Sequence, residues 1–279
     1  MKILVTGANG QLGTDIIKYF NQDEVFGYDV DVLDITDIKQ VLDLVKQMKP
    51  ELIINCAAYT NVDGCEENEE LAYKVNAIGA RNLAVAAFET NARLLHISTD
   101  FVFDGCTDKP YLEFDTPNPL SIYGKSKLAG EELIRQICPR HYILRTAWLY
   151  GKNGNNFVKT MLKLGQEKKT LTVVDDQIGS PTFTEDLIRA VAEVIKTQAY
   201  GTYHATNNGQ CSWNEFAKKI FEYAGLPGIE VLPISTEELG RPAKRPQYSV
   251  LRNFMLEAQL NHKMRNWEEA LKEYFTIKE

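Results

Sequence analysis

Tyr123 and Lys127 are the residues whose types and spacing most directly suggest chemistry in this chain. They are four positions apart in Tyr123-Gly124-Lys125-Ser126-Lys127, near the start of a predicted helix, so both side chains share one helix face. A free tyrosine has a pKa of about 10, so proton transfer near neutrality needs a nearby cation that favours the phenolate. We predict that Tyr123 transfers a proton and that Lys127 assists it.

Ser98-Thr99-Asp100 adds polar groups to the same predicted site, with Thr99 standing 24 residues before Tyr123. The segment follows a predicted strand, and open α/β folds bind ligands at the carboxyl ends of their strands. Thr99 is placed to hydrogen-bond a substrate oxygen, and Asp100 to accept a substrate hydroxyl. Local capping of the strand end is the alternative interpretation.

A glycine-rich turn near the amino end predicts a dinucleotide site. Gly7, Gly10 and Gly13 lie between a predicted strand over residues 2–6 and a predicted helix over residues 11–20. Gly7 permits a sharp turn, Gly10 lets backbone amides approach a pyrophosphate, and Gly13 lets helix and strand pack closely. We expect Gln11 and Leu12, at the start of that helix, to contact the cofactor as well.

Two later segments extend the predicted cofactor site. Asp29 ends the second predicted strand and can accept hydrogen bonds from a ribose hydroxyl, which favours NADH over NADPH. A solvated turn aspartate is the alternative, because acidic residues are frequent there. A third strand is followed by a segment whose backbone is expected to run beside the pyrophosphate and the nicotinamide ribose, unless it is simply a strand exit: Ala57, Ala58, Tyr59 and Thr60.

The pattern of elements predicts an α/β fold with a doubly wound parallel sheet of the Rossmann type and a smaller mixed region. Predicted strands cover residues 2–6, 24–28, 52–56, 93–98 and 141–145, and predicted helices cover 11–20, 37–48, 71–90 and 125–137. Beyond residue 150, Pro-containing segments separate predicted helices over 184–197, 213–224 and 267–274. We therefore predict a dinucleotide-binding domain over 1–150 and a mainly substrate-binding region over 151–279, some of whose segments cross back.

Composition excludes several classes of protein. The net charge of -7 over 279 residues argues against a nucleic-acid partner, since such partners require a basic face. Five cysteines without a Cys-x-x-Cys pair fit reduced thiols and a cytoplasmic location, and they suggest no zinc site. No signal region and no stretch of about 18 apolar residues is visible, so we expect neither secretion nor a membrane span.

Longer strings show a resemblance to a known family. The spacing Gly-x-x-Gly-x-x-Gly, together with Thr99, Tyr123 and Lys127, is similar to extended short-chain dehydrogenases that act on nucleotide sugars. More specific strings resemble the dTDP-4-dehydrorhamnose reductases over nearly the whole chain: residues 59–63, 98–105, 123–131, 145–151 and 175–182.

The resemblance implies reduction by NADPH or NADH of the keto group at the fourth carbon of dTDP-4-dehydro-L-rhamnose. The product, dTDP-L-rhamnose, is a precursor for lipopolysaccharide or cell-wall polysaccharide. On this reading Tyr123 protonates the developing alkoxide, Lys127 lowers the tyrosine pKa and holds the nicotinamide ribose, and Thr99 orients the carbonyl. Asp100 would bind a sugar hydroxyl, and Trp148 would pack against the sugar unless it is a core aromatic.

For three other positions or segments, a role in the site competes with a simpler structural explanation. Asp34 and Ile35 resemble the pair that contacts adenine in the family, although Asp34 is also suited to cap the next helix. Asn76 matches an asparagine that shapes the active-site backbone in related enzymes, but a solvated helix residue is an equal alternative, so it stays outside the catalytic set. The basic segment over residues 241–246 is better explained as a solvated loop than as a diphosphate site.

Two rival functions share these motifs. An epimerase or dehydratase of the same superfamily has the same glycines and Tyr–Lys pair. A non-catalytic regulatory subunit, resembling that of methionine adenosyltransferase, keeps the fold as an interaction module. Some family members form dimers bridged by magnesium, but Asp15 stands where a glutamate is expected. We therefore name no metal ligand, and bound magnesium has little support. A homodimer stays open as a prediction.

Overall fold

Residues 1–277, which the computed structural model describes, alternate between strand and helix along the first half of the chain. The strands are β1 (Lys2–Thr6), β2 (Glu24–Tyr28), β3 (Leu52–Asn55), β4 (Arg93–Thr99), β5 (His141–Thr146), β6 (Leu149–Tyr150), β7 (Thr170–Val174), β8 (Ile178–Gly179), β9 (Thr182–Phe183), β10 (Gly201–His204), β11 (Cys211–Ser212) and β12 (Glu230–Ile234). The helices are α1 (Gln11–Tyr19), α2 (Ile38–Met48), α3 (Val62–Glu67), α4 (Glu69–Tyr73), α5 (Ala80–Thr90), α6 (Ile122–Ile137), α7 (Phe157–Glu167), α8 (Thr184–Ile195), α9 (Trp213–Tyr223), α10 (Thr236–Leu239), α11 (Phe254–Leu260) and α12 (Trp267–Thr276). A π-helical turn (Lys74–Gly79) joins α4 to α5, and a 3-10 turn (Asp100–Val102) follows β4.

Six parallel strands form the central sheet in the order β10-β5-β4-β3-β1-β2. Alternate residues of each strand face opposite sides, and helices cover both: α1 and α8 pack on one face, α2 and α5 on the other. This confirms the predicted doubly wound Rossmann-type fold. Strand order reverses between β1 and β3, and that switch point is where open α/β sheets bind ligands.

A smaller mixed region lies beyond the sheet. It combines the parallel pairs β7·β12 and β6·β9 with the antiparallel pair β8·β11. Helices α7, α9 and α12 surround an aromatic core that contains Tyr150, Phe183, Phe216, Trp267 and Tyr274. Large aromatic rings of this kind bury much apolar area each, so they contribute strongly to the stability of this region.

The boundary proposed at residue 150 does not separate two independent cores. Leu187 and Val191 of α8 and Tyr203 of β10 lie in the same buried cluster as Ile3 and Val5 of β1. Helix α8 and strand β10 therefore cross back to the first unit. The division itself stays a proposal, and the last two residues of its second range lie outside the described residues.

Several predicted boundaries shift in the structure. The helix expected over 71–90 is instead α4, the π-helical turn and α5 in succession. Helix α6 begins at Ile122 rather than 125, because the Ser121 side chain caps it by accepting a bond from Gly124 N–H. Tyr123 and Lys127 consequently both lie within α6. No helix among the described residues has the length and apolar character needed to cross a membrane.

A buried ion pair connects α6 to the sheet. Glu131 accepts hydrogen bonds from Arg145 of β5 at 2.7 Å and 3.0 Å and from the Ser98 hydroxyl of β4 at 2.5 Å, and Arg135 reaches the same carboxylate. Burial alone raises the pKa of Glu131, but the charges of Arg145 and Arg135 outweigh it and hold the pKa below its usual range. The carboxylate is therefore charged inside the protein.

Removing one member of this pair should destabilise the fold strongly. Glu131→Leu leaves the Arg145 charge buried without a carboxylate, and we expect a loss of about 3–5 kcal/mol in the free energy of unfolding, measured by urea denaturation. The control is Glu131→Leu combined with Arg145→Met, which removes both charges and should recover most of the loss. Equal losses in the single and double variants would contradict the pairing.

Candidate active site

A cleft of about 850 Å3 runs along the carboxyl ends of the central strands and reaches the smaller region. Every residue predicted to act or bind lines it: Gly7, Gly10, Gln11, Leu12, Gly13, Asp29, Asp34, Ile35, Ala57, Ala58, Tyr59, Thr60, Thr99, Asp100, Tyr123, Lys127 and Trp148. The lining also includes residues that were not predicted from the sequence to lie in the site, among them Phe101, Thr146, Trp213 and Arg245. The fold thus brings the predicted residues into one cleft, and the role of each residue remains a prediction.

The glycine-rich turn brings backbone very close to backbone. Gly7 has φ of 67°, and a Cβ there would lie 2.7 Å from Ala57 N. A Cβ on Gly13 would lie 2.2 Å from Gly7 O. Gly10 is the N-cap of α1 and offers no capping side chain, so the first N–H groups of this helix remain available to an anion. The turn fits a dinucleotide pyrophosphate.

Asp29 fastens this turn to the end of β2. Its carboxylate accepts hydrogen bonds from Asn9 N–H at 2.9 Å and Val30 N–H at 2.8 Å. The cationic residues that line the cleft are Lys127 and Arg245, which belong to its catalytic and substrate ends. The adenosine end therefore presents negative charge.

Asp34 is not the cap of the next helix. Asp37 caps α2 by accepting bonds from Lys39 N–H and Gln40 N–H, while Asp34 accepts a bond from Thr36 N–H at 2.8 Å. Asp34 and Ile35 both line the cleft, so contact with adenine remains the prediction for this pair.

Tyr123, Thr99 and Lys127 surround the centre of the cleft. Burial raises the pKa of Tyr123 well above its ordinary value, while the Thr99 hydroxyl lowers it and Asp100 raises it further. Burial lowers the pKa of Lys127 to about 8, against the opposing influence of Glu131 and Cys56. Lys127 Nζ donates a hydrogen bond to Ile97 O at 2.7 Å. Near neutral pH the tyrosine is thus a protonated phenol that can act as an acid.

Asp100 has a polar atom in the cleft without a protein partner. The Thr99 hydroxyl donates to its Oδ1 at 3.0 Å, whereas its Oδ2 is buried with no hydrogen bond. Burial raises the pKa of Asp100 to about 6, although the Ser249 and Thr99 hydroxyls act in the opposite direction. Thr146 Oγ1, also in the lining, is likewise buried and unsatisfied. Such atoms are expected where a ligand supplies the missing bonds.

Asn76 is a buried structural residue, so its interpretation as a solvated helix residue is wrong. It lies in the π-helical turn and is 1% exposed. Its Oδ1 accepts a bond from Tyr59 N–H at 2.8 Å, and its Nδ2 donates to Tyr59 O and to Ser126 Oγ. It therefore ties the segment after β3 to helix α6 from outside the cleft.

Trp148 occupies a strained and tightly enclosed position. Its φ is 48°, a left-handed conformation that is rare for a bulky residue. Its ring stacks on Trp213 with centroids 3.6 Å apart, and a Cβ on Gly179 would lie 2.4 Å from the indole. Because Trp148 is only partly buried and lines the cleft, it is not simply a core aromatic. Backbone strain of this kind concentrates at functional sites.

Arg245 corrects the interpretation of residues 241–246 as a solvated loop. Its guanidinium binds Asp63 of α3 at 3.0 Å and 3.1 Å, and Arg241 lies 3.6 Å from the same carboxylate. Arg245 also lines the substrate end of the cleft beside Trp148 and Trp213. The segment is therefore held to α3 beside the cleft.

Asp15 does not belong to a recognisable metal site. It accepts a hydrogen bond from the Asn153 side chain. Within residues 1–277, no three His, Cys, Asp or Glu side chains are grouped so that they could hold a metal ion.

Comparisons with known proteins agree with this geometry. The RmlD substrate binding domain family matches residues 1–279. The chain is similar to a dTDP-4-dehydrorhamnose reductase of Clostridium acetobutylicum, whose crystal structure is 53% identical with a TM-score of 0.97 over 99% of each chain. A dTDP-4-dehydrorhamnose reductase of Bacillus anthracis, solved in complex with NADP, is 49% identical with a TM-score of 0.97 over 99% of each chain. The spore coat polysaccharide biosynthesis protein SpsK of Bacillus subtilis is 45% identical over 98% of this chain and 96% of its own length.

The negative adenosine end should make the protein bind NADH more tightly than NADPH. A doubly charged 2'-phosphate about 5 Å from one carboxylate is repelled by about 1.5 kcal/mol in water, so we expect roughly a tenfold difference in Kd. Asp29→Ser removes the charge and should bring the two Kd values together, as measured by quenching of protein fluorescence. Asp31→Ser is the matched control, since Asp31 is absent from the cleft lining. Tighter binding of NADPH by the unaltered protein would contradict the prediction.

Proposed function

The chain belongs to the RmlD substrate binding domain family, and we propose that it reduces the 4-keto group of dTDP-4-dehydro-β-L-rhamnose to dTDP-L-rhamnose with NADPH or NADH. The resemblance noted from the sequence is confirmed by this match and by reductases of that name at 53% and 49% identity. One structural observation carries the proposal: Tyr123, Lys127 and Thr99 lie in the same cleft as the glycine-rich turn.

Tyr123 is the proposed acid. Its buried phenol stays protonated near neutrality and can give its proton to the oxygen that becomes an alkoxide when the ketone is reduced. Thr99, beside the phenol, is placed to hold that oxygen by hydrogen bonding. A bound nicotinamide supplies the hydride to the carbonyl carbon.

Lys127 is proposed to act on both cofactor and tyrosine. Its positive charge favours the phenolate that remains after Tyr123 has given up its proton, which lowers the cost of that transfer. Lys127 Nζ donates to Ile97 O and lies 3.1 Å from His96 Nε2, which leaves one N–H free to hold a ribose hydroxyl. The glycine-rich turn and Asp29 hold the rest of the dinucleotide.

The substrate end of the cleft suits a sugar nucleotide. Asp100 Oδ2 and Thr146 Oγ1 offer buried polar atoms to sugar hydroxyls, and Trp148 offers an aromatic face to the sugar ring. Arg245 is paired with Asp63 and lies near that ring, where its remaining N–H groups can donate to the diphosphate. These assignments give the sugar hydroxyls, the sugar ring and the diphosphate a partner.

The cellular setting and the assembly are also proposed. The five cysteines are unpaired in the structure, which fits a reducing cytoplasm where nucleotide sugars for lipopolysaccharide or cell-wall polysaccharide are made. The net charge of -7 supports a small-molecule substrate without nucleic acid. A homodimer remains a proposal.

Loss of near-ultraviolet absorbance by NADH or NADPH, in the presence of enzymatically made dTDP-4-dehydro-L-rhamnose, tests the function directly. Tyr123→Phe should lower kcat by about 10²–10⁴ because the proton donor is lost, while the Kd of the cofactor stays within about threefold. The matched control is Tyr19→Phe, an exposed tyrosine on α1. A protein that binds cofactor but never consumes it would instead favour the epimerase or the regulatory subunit.

The pH dependence of KM tests the role of Asp100. With a pKa of about 6 in the free protein, the carboxylate is charged above that pH and accepts a sugar hydroxyl, and it gains a proton as the pH falls. KM for the sugar nucleotide should therefore rise below about pH 6. Asp100→Asn should raise KM at all pH values and remove this rise. An acid limb that persists in the variant would assign the titration to another group.

A further inference from the structure

His96 of β4 is a buried histidine that none of the proposed steps uses. It is 1% exposed and lies directly behind the catalytic end of the cleft. Its Nδ1 is 2.9 Å from Asn55 Nδ2, and its Nε2 is 3.1 Å from Lys127 Nζ. Burial and the neighbouring Lys127 lower the pKa of His96 well below its ordinary value, so the ring is neutral.

The position of the ring proton follows from the hydrogen bonds of Asn55. Its Oδ1 faces Ala57 N–H at 3.1 Å and the Thr6 hydroxyl at 2.8 Å. A backbone N–H can only donate, so the atom facing it is the amide oxygen, and the amide NH2 group points to His96. Nδ1 therefore accepts a hydrogen bond, and the single proton of the neutral ring lies on Nε2.

This tautomer aims an N–H donor at Lys127 Nζ. A charged ammonium has no lone pair with which to accept it, whereas a neutral amine does. The other groups facing Lys127 are Glu131 on its own helix, whose charge Arg145 of β5 neutralises, and the Cys56 thiol after β3. Among these neighbours, His96 presents the strongest donor, since a thiol S–H donates only weakly.

We propose that His96 is a positioning residue of the reductase, which through its Nε2–H holds Lys127 against β4 and favours the uncharged amine in the free enzyme. The directed bonds run from the Thr6 hydroxyl to Asn55 Oδ1, and from Asn55 Nδ2 through His96 to Lys127. With a pKa of about 8, Lys127 has an accessible uncharged form near neutral pH, and an anionic ligand in the cleft favours the charged form. Tyr123 remains a protonated phenol in the free enzyme, which suits a reductase. The catalytic part of this inference rests on the proposed function.

The tautomer is testable without any activity. The chain has four histidines, so the 15N spectrum of protein labelled at histidine is simple, and His96→Gln identifies the His96 signals. We expect a neutral ring with unprotonated Nδ1 and protonated Nε2, which stays neutral at the pH where an ordinary histidine titrates. An imidazolium, or a proton on Nδ1, would overturn the proposal even if the protein is an active reductase.

Asn55→Asp tests the link to Lys127. A carboxylate at this position accepts a hydrogen bond from Nδ1–H, which reverses the tautomer and turns Nε2 into an acceptor for a charged Lys127. The alkaline limb of kcat/KM should move up by about one pH unit. In Asn55→Asp combined with His96→Phe only the direct effect of the new charge remains, so the shift should be clearly smaller. Equal shifts in the two variants would overturn the role of His96.

His262→Gln is the matched control, because His262 does not line the cleft and should leave the pH profile unchanged. If the unaltered protein shows no turnover at any pH while the 15N spectrum is as expected, the proposed function fails and the tautomer stands. The two failures are therefore distinguishable. Should the Asn55 variants not fold, the 15N spectrum of the unaltered protein still decides on the tautomer.

Discussion

The buried carboxylate of Glu131 is the constraint on which the candidate site most depends. It lies one helical turn beyond Lys127 and is bonded to Ser98 on β4 and Arg145 on β5. Because α6 carries Tyr123 as well as Lys127, these bonds fix the rotation of the helix and with it the direction of both side chains. Close packing acts with the charges, since a Cβ on Gly130 would lie 2.3 Å from Asn76 O.

The parts of the site that depend on local spacing could be predicted from the sequence. The roles of Gly7, Gly10 and Gly13 depend only on the geometry of one turn. The roles of Tyr123 and Lys127 depend only on their spacing along one helix. The fold class could be predicted as well, because the rules for connecting alternating strands and helices leave few possible strand orders. Boundaries were less accurate, because the Ser121 cap that starts α6 is a single hydrogen bond.

What the sequence did not reveal depends on contacts between distant segments. The stack of Trp148 on Trp213 joins residues 65 positions apart. Arg245 binds Asp63, 182 positions earlier, and His96 meets Asn55 only because β3 and β4 are neighbours in the sheet. The periodicity of the sequence does not indicate which distant residues form such pairs. A buried histidine on a strand and a tryptophan at the start of a helix both resemble ordinary core residues until the fold is known.

Strand β10 has a consequence for how the protein is made. It is the edge strand beside β5, it comes from residues 201–204, and its His204 contacts Arg145 at the end of the Glu131 network. A ribosome delivers the chain from its amino end, so the glycine-rich turn and the Tyr–Lys pair emerge long before the strand and helix that close the sheet around them. In the nucleotide-binding half, residues 1–150, one face and one edge of the sheet therefore stay uncovered until about fifty further residues have been synthesised. Folding of the two halves is therefore coupled in time, because the core of the first half is completed by α8 and β10.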